Sequence, residues 1–159
     1  MDTELKKVYT ARISQANRSE LVVIIYELML ESISEAREAL HGGDLHNADE
    51  ELKRAQGLLC ELRGSLDFQY VISQRLVSLY RYVNEQLTKS VARQKDVNLD
   101  SCERVLKGLK EGFEQVAGQD TSGPVMGNGK QVYAGLTYNK GSLDEIAIDP
   151  RQMGHSFKA

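Results

Sequence analysis

The chain has 159 residues, 41% hydrophobic and 27% charged, which suits one domain of ordinary size. Lys and Arg total 20 against 23 Asp and Glu, and the formal charge of -3 offers no general attraction to nucleic acid or to an anionic membrane. The longest apolar run, Leu21 to Leu30, is broken by Glu27 and falls far short of the roughly 20 residues of a membrane span. Asp2, Glu4, Lys6 and Lys7 follow Met1 with no apolar stretch behind them, so a cytoplasmic protein without a secretory signal is expected.

The chain divides near Gly118. Both prolines and seven of the 13 glycines lie beyond residue 117, whereas residues 1–117 carry apolar positions at three- and four-residue spacing. The first part is expected to be a helical bundle domain, 1–117, and the second, 118–159, a flexible Gly-rich C-terminal extension able to dock on the body. A short N-terminal helix carries Leu5, Val8, Tyr9 and Ile13. Asn17 with Glu20 three residues on has the pattern of a capping box and opens a helix near 18–41, which Gly42 and Gly43 close. Asp44 caps the next helix, whose Leu45, Ala48, Leu52, Ala55, Leu59 and Leu62 share one face as far as about Ser65.

Asp67 can cap a further helix with Ile72, Leu76, Leu79, Val83 and Leu87 inward, and Asp96 or Asp100 a last one with Leu99, Cys102, Leu106, Leu109 and Phe113 inward. Four long helices joined by short turns run antiparallel to their neighbours, so the fold class is all-α, an up-and-down bundle with a short extra N-terminal helix.

One helix has more apolar surface than a bundle member needs. Nine of the ten residues Leu21 to Leu30 are apolar. With Val22, Ile25, Met29, Ile33 and Ala36 turned to the core, Val23 and Leu30 lie on one flank and Ile24 and Leu28 on the other. The helix after Asp67 shows a smaller excess, with Tyr70 and Val77 on one side and Val71 and Tyr82 on the other. Either the N-terminal helix and the tail cover these flanks, or a partner segment does.

Catalytic and metal chemistry finds little support. Glu38 and His41 form one Glu-x-x-His, half of a di-iron bundle pattern, but the other histidines, His46 and His155, do not supply the second half. His41 and His46 flank a glycine turn, whereas a phosphotransfer bundle needs its histidine in mid-helix. Gly127-Asn128-Gly129-Lys130 lacks the glycine and the Ser or Thr of a phosphate-binding loop. Cys60 and Cys102 lie in different directions, without a basic neighbour to form a thiolate, and are read as reduced thiols. No enzyme, metal or cofactor is expected.

Three stretches resemble the FliS family of flagellar export chaperones. Asn17 to Glu27, NRSELVVIIYE, is similar to the family's polar cap followed by leucine and an "LYD"-type end. Ala55 to Asp67, AQGLLCELRGSLD, is similar to its "A..I..EL..SLD" segment, and Leu79-Tyr80-Arg81-Tyr82 to its "LY.Y". Order and spacing agree, and the resemblance covers residues 1–117. It implies an antiparallel helical bundle that binds the C-terminal segment of flagellin, prevents premature polymerisation and delivers it to the export apparatus.

The partners implied are flagellin and an export-gate component, with no nucleic acid, no membrane, and a homodimer allowed. The partner-binding residues expected are Val23, Ile24, Leu28, Leu30, Tyr70, Val77 and Tyr82, with Tyr9 in the place of the family's N-terminal export-gate tyrosine. The tail lies outside that resemblance, and its Val132–Tyr138 stretch has enough apolar and aromatic character to dock. A non-catalytic signalling or scaffold bundle, phosphotransfer-like, is the alternative.

Overall fold

A computed structural model describes residues 3–66, 71–119 and 123–125. Among these residues all regular structure is helical: α1 (Thr3–Gln15), α2 (Arg18–Gly42), α3 (Leu45–Gly64), α4 (Val71–Arg93) and α5 (Leu99–Ala117). The chain forms two compact units, one containing α1 and the other α2 to α5. Asp67 and Tyr70, with the tail's Val132–Tyr138 and His155, lie outside the described residues.

In the unit holding α1, Tyr9, Ile13 and Ala16 are buried at helical spacing while Val8 stays exposed. The Arg12 guanidinium lies 5.5 Å from the centre of the Tyr9 ring, a cation–π arrangement that keeps the charge in water over an aromatic face. The Val125 N–H donates to the Ala16 carbonyl at 3.1 Å, which extends this unit past the end of its helix.

The other unit is a four-helix bundle. Packing runs around a ring, α2 on α3, α3 on α4, α4 on α5 and α5 on α2, with α2 the best covered and α4 on α5 the thinnest contact. The turns that allow this are built locally. Gly43 takes the left-handed φ of +80°, its N–H reaches the Leu40 carbonyl, and the Asp44 N–H reaches the Ala39 carbonyl at 2.9 Å. These two bonds satisfy the terminal carbonyls of α2, and a side chain at Gly43 would strain that conformation. Asp44 then turns its carboxylate onto the Asn47 N–H at 3.1 Å and caps α3.

The second turn uses the same device without a glycine. Gln94 has φ 52°, and the Lys95 N–H reaches back to the Ser90 carbonyl at 3.3 Å. The fully buried Ser90 Oγ accepts from the Val97 N–H at 3.0 Å. Of the two candidate caps for α5, Asp96 makes the bond, its Oδ1 accepting from the Leu99 N–H at 3.0 Å. Asp100 lies within the helix's first turn.

The core holds Ile25, Met29, Ile33 and Ala36 of α2, Ala48, Leu52, Ala55, Leu58, Leu59 and Leu62 of α3, Leu76, Val83 and Leu87 of α4, and Leu99, Cys102 and Leu106 of α5. Burying a Leu or Ile side chain contributes about 1.5–3 kcal/mol, so this face drives the assembly. Three expectations need correcting. Leu45 is exposed, because it sits at the first position of α3, before the helix enters the core. Ile72 and Leu79 are exposed at 62% and 37%, whereas Ser73 and Tyr80 are buried. Helix α4 is therefore turned so that Leu76, Tyr80, Val83 and Leu87 face the core, with small or amide side chains, Ser73, Gln86 and Ser90, filling the rest.

Candidate partner-binding surface

The flanks of α2 do not stay open. Val23, Ile24 and Leu28 are 6%, 2% and 1% exposed. Only Leu30, on the Val23 side, is half-buried, as are Val77 and Tyr82 of α4. Tyr9 is buried on α1. Of the residues expected to meet a partner, the described surface thus leaves Leu30, Val77 and Tyr82 within reach of one, while Val23, Ile24 and Leu28 form apolar backing.

The large exposed apolar side chains of the bundle, among the described residues, are elsewhere: Leu45 at the start of α3, Val71, Ile72 and Leu79 on α4, and Val116 on α5. Two hydrogen bonds show how α4 and α5 face each other. The Tyr82 hydroxyl donates to Ser101 Oγ at 3.0 Å, and Asn98 Nδ2 donates to Gln86 Oε1 at 3.0 Å. In an antiparallel pair levelled by Tyr82 with Ser101, equal rise per residue sets Arg75 level with Gly108 and Ile72 level with Glu111. Near Ser101 the two helices are tied by hydrogen bonds. Towards Val71 and Val116 their apolar side chains are left open to solvent. Sequence periodicity missed this surface because Ile72 and Leu79 fit the same repeat as the true core residues. The signal available was Tyr80, whose place in the helix competes with Leu79 for the inward direction.

At the opposite end of the bundle the groups are polar. Arg37 Nε lies 3.0 Å from Asp96 Oδ2, and its Nη1 lies 3.2 Å from Glu103 Oε2, so one guanidinium joins α2, the last turn and α5. Those two carboxylates hold the Arg37 guanidinium even more firmly protonated than usual. They line an open cleft of about 650 Å³ with Ser34, Glu38, His41 and Lys95. The mixed charges mark a solvated crossing of three chain segments.

Inside the bundle, the hydroxyls of Tyr26 and Tyr80 hydrogen-bond across its diagonal, and Phe113 packs 5.6 Å from the Tyr26 ring. Burial, first of all, pushes both hydroxyls above the ordinary tyrosine range, so both remain neutral. Glu31 is pushed up by burial, then by the charge of Glu35, with Arg54 opposing. Cys102 is buried and its thiol is pushed up to about 12 by burial and then by Asp100 and Asp96, whereas Cys60 is exposed. That is the reverse of what thiolate chemistry needs.

Among the described residues no three His, Cys, Asp or Glu side chains are placed to hold a metal ion. His41 is exposed at the end of α2, and His46 lies 3.4 Å from Glu50 on α3. None of the described helices is long and apolar enough to cross a membrane.

A family model described as "Flagellar protein FliS" matches residues 1–120, a span that contains all five helices. No curated protein matches the chain.

Proposed function

Because this chain belongs to the FliS family of flagellar proteins, with the flagellar chaperone role that membership carries, we propose that it binds the C-terminal segment of flagellin, blocks premature polymerisation and delivers the subunit to the export apparatus. The family match over the whole helical body carries this reading. A polymerising segment exposes apolar residues, and a chaperone must cover them without releasing so little free energy that the subunit escapes, or so much that it cannot be unloaded.

Helix-prone ligands that order on binding meet this need, since their ordering entropy lowers the affinity of a large interface. Leu30, Val77 and Tyr82 are the half-buried contacts in this proposal, backed by Val23, Ile24 and Leu28. Tyr70 is a further contact, and Tyr9 faces the export-gate component. The protein acts in the cytoplasm, before export.

The test separates surface from core. Leu30→Glu and Val77→Glu are expected to stay folded, since both positions are half-buried, and to lose binding of the flagellin C-terminal segment in calorimetric titration. Met29→Glu and Leu76→Glu bury a carboxylate at positions 0% and 5% exposed. That costs several kcal/mol against a typical total of about 5–15, and unfolding is expected. Wild-type protein that takes up no heat with the segment would overturn the proposal.

A further inference from the structure

We propose that the outward face of α4 is a basic docking surface and that its occupant is this chain's own acidic segment, Leu143 to Asp149. The inference is independent of the client reading above.

Two helices build the face. Helix α4 carries Arg75, Arg81, Lys89 and Arg93 against the single acid Glu85, all of them exposed. With Leu76, Val83 and Leu87 turned to the core, helical spacing puts Arg81, Glu85 and Lys89 on the opposite side, and Arg75 and Arg93 on the flank towards α5. Gln56 Nε2 of α3 donates to Thr88 Oγ1 of α4 at 3.0 Å. In that antiparallel pair, equal rise per residue brings the exposed Arg63 level with Arg81.

Among the described residues none of these five cations has an ion-pair partner. Elsewhere the bundle pairs its charges along a helix, Lys53 with Asp49 at 2.7 Å and Lys110 with Glu114 at 2.9 Å. Here like charges are left together, although the chain as a whole has acids to spare, with a formal charge of -3. The acid-rich helix is α2, with five Glu against two Arg, and it packs on α3 and α5 at the corner of the ring opposite α4. Neutralisation of the α4 face therefore has to come from outside the bundle.

The occupant follows from charge and reach. Every acid beyond Val125 falls in one stretch, Asp144, Glu145 and Asp149, which holds no cation and interleaves its carboxylates with Leu143, Ile146 and Ile148. Guanidinium groups bind carboxylates through paired N–H donors, so three arginines beside Lys89 suit such a segment. Leu143 lies 24 residues past Gln119, at the end of α5. A chain of that length spans up to about 80 Å, more than twice the roughly 35 Å of α4. Exposed ion pairs are individually weak, but a tethered segment meets its surface at an effective concentration of about millimolar, and weak pairs then suffice. Docked, the segment neutralises the face and closes it to other acidic partners.

The experiment uses the full, isotope-labelled chain with a nitroxide attached to Cys60. That cysteine is exposed and, four residues from Gln56, stands on the side of α3 that meets α4. The amide signals of residues 143–149 are expected to broaden at about 0.05 M NaCl, and the broadening to fall by about threefold or more at about 0.5 M, where exposed charges are screened. Arg81→Glu with Lys89→Glu should reduce it as much while leaving the melting temperature near that of wild type, because both side chains are exposed. Asp144→Lys with Glu145→Lys should do the same, and combining the two reversals should restore the broadening. Restoration by the swapped charges is what a non-specific collapse of the tail would not give.

Signals of 143–149 that do not broaden in the wild-type chain, or broadening that salt and both reversals leave unchanged, would overturn the proposal. Broadening in a mixture of spin-labelled chain without isotope and isotope-labelled chain without nitroxide would assign the segment to a second copy, and docking within one chain would fall.

Discussion

Replacing Tyr80 by Phe tests whether the buried tyrosine pair is a unit. Tyr26 and Tyr80 are 0% and 1% exposed, and their hydroxyls bond each other across the diagonal of the bundle. Tyr80→Phe keeps the ring and opens no cavity beyond one oxygen atom, but it leaves the Tyr26 hydroxyl buried without that partner. An orphaned buried hydroxyl costs about 1–3 kcal/mol. Tyr26→Phe does the same from the other side. Removing both hydroxyls takes away the bond together with its desolvation cost, so the double variant is expected within about 1 kcal/mol of wild type.

The two single changes should therefore sum to much more than the double, with a coupling of about 1–3 kcal/mol. In a bundle of about 100 residues each kcal/mol moves the melting temperature by about 4–8 °C, so urea titration and thermal melts of all four proteins can resolve it. The pH arm has a defined sign. Burial keeps both hydroxyls neutral in the fold, whereas the unfolded chain releases those protons near pH 10. Above that pH the unfolded state binds fewer protons, and stability that is fully present below pH 10 is lost as the pH rises. The double Phe variant should lose less over the same range. Single-variant costs that simply add in the double, or identical alkaline slopes for wild type and double variant, would refute the reasoning.

Two further outcomes are expected. Gln94 adopts a left-handed φ of 52° at the end of α4, a conformation that costs a non-glycine residue about 1 kcal/mol, so Gln94→Gly should raise the urea midpoint; a lower midpoint would show that the Gln94 side chain contributes more than its backbone strain. The exposed Cys60 and the buried Cys102, whose thiol is pushed up to about 12, should differ in reactivity: a thiol reagent at pH 8 should modify one cysteine in native protein and two in urea, and rapid modification of both in the native state would contradict the placement of Cys102.

Much of the architecture was legible in the order of residues, because helix boundaries are set by neighbours. The Gly43 turn and the Asp44 cap are local hydrogen-bonding devices, and they place the end of α2 and the start of α3 where the sequence predicts. The phases of α3 and α5 were equally legible, since in each a single apolar stripe leaves one choice of inward face. Helix α4 was not. Ile72 and Leu79 continue the same repeat as Leu76, Val83 and Leu87, and a repeat alone cannot tell which edge of a wide stripe turns inward.

Tertiary pairing decided it. Tyr80 points in because Tyr26, 54 positions earlier, offers a buried hydroxyl to bond. That rotation exposes Ile72 and Leu79. The covered flanks of α2 and the exposed apolar residues of α4 were likewise settled by which helices meet, since the exposure of an apolar side chain depends on what packs over it, and that partner can lie anywhere along the chain.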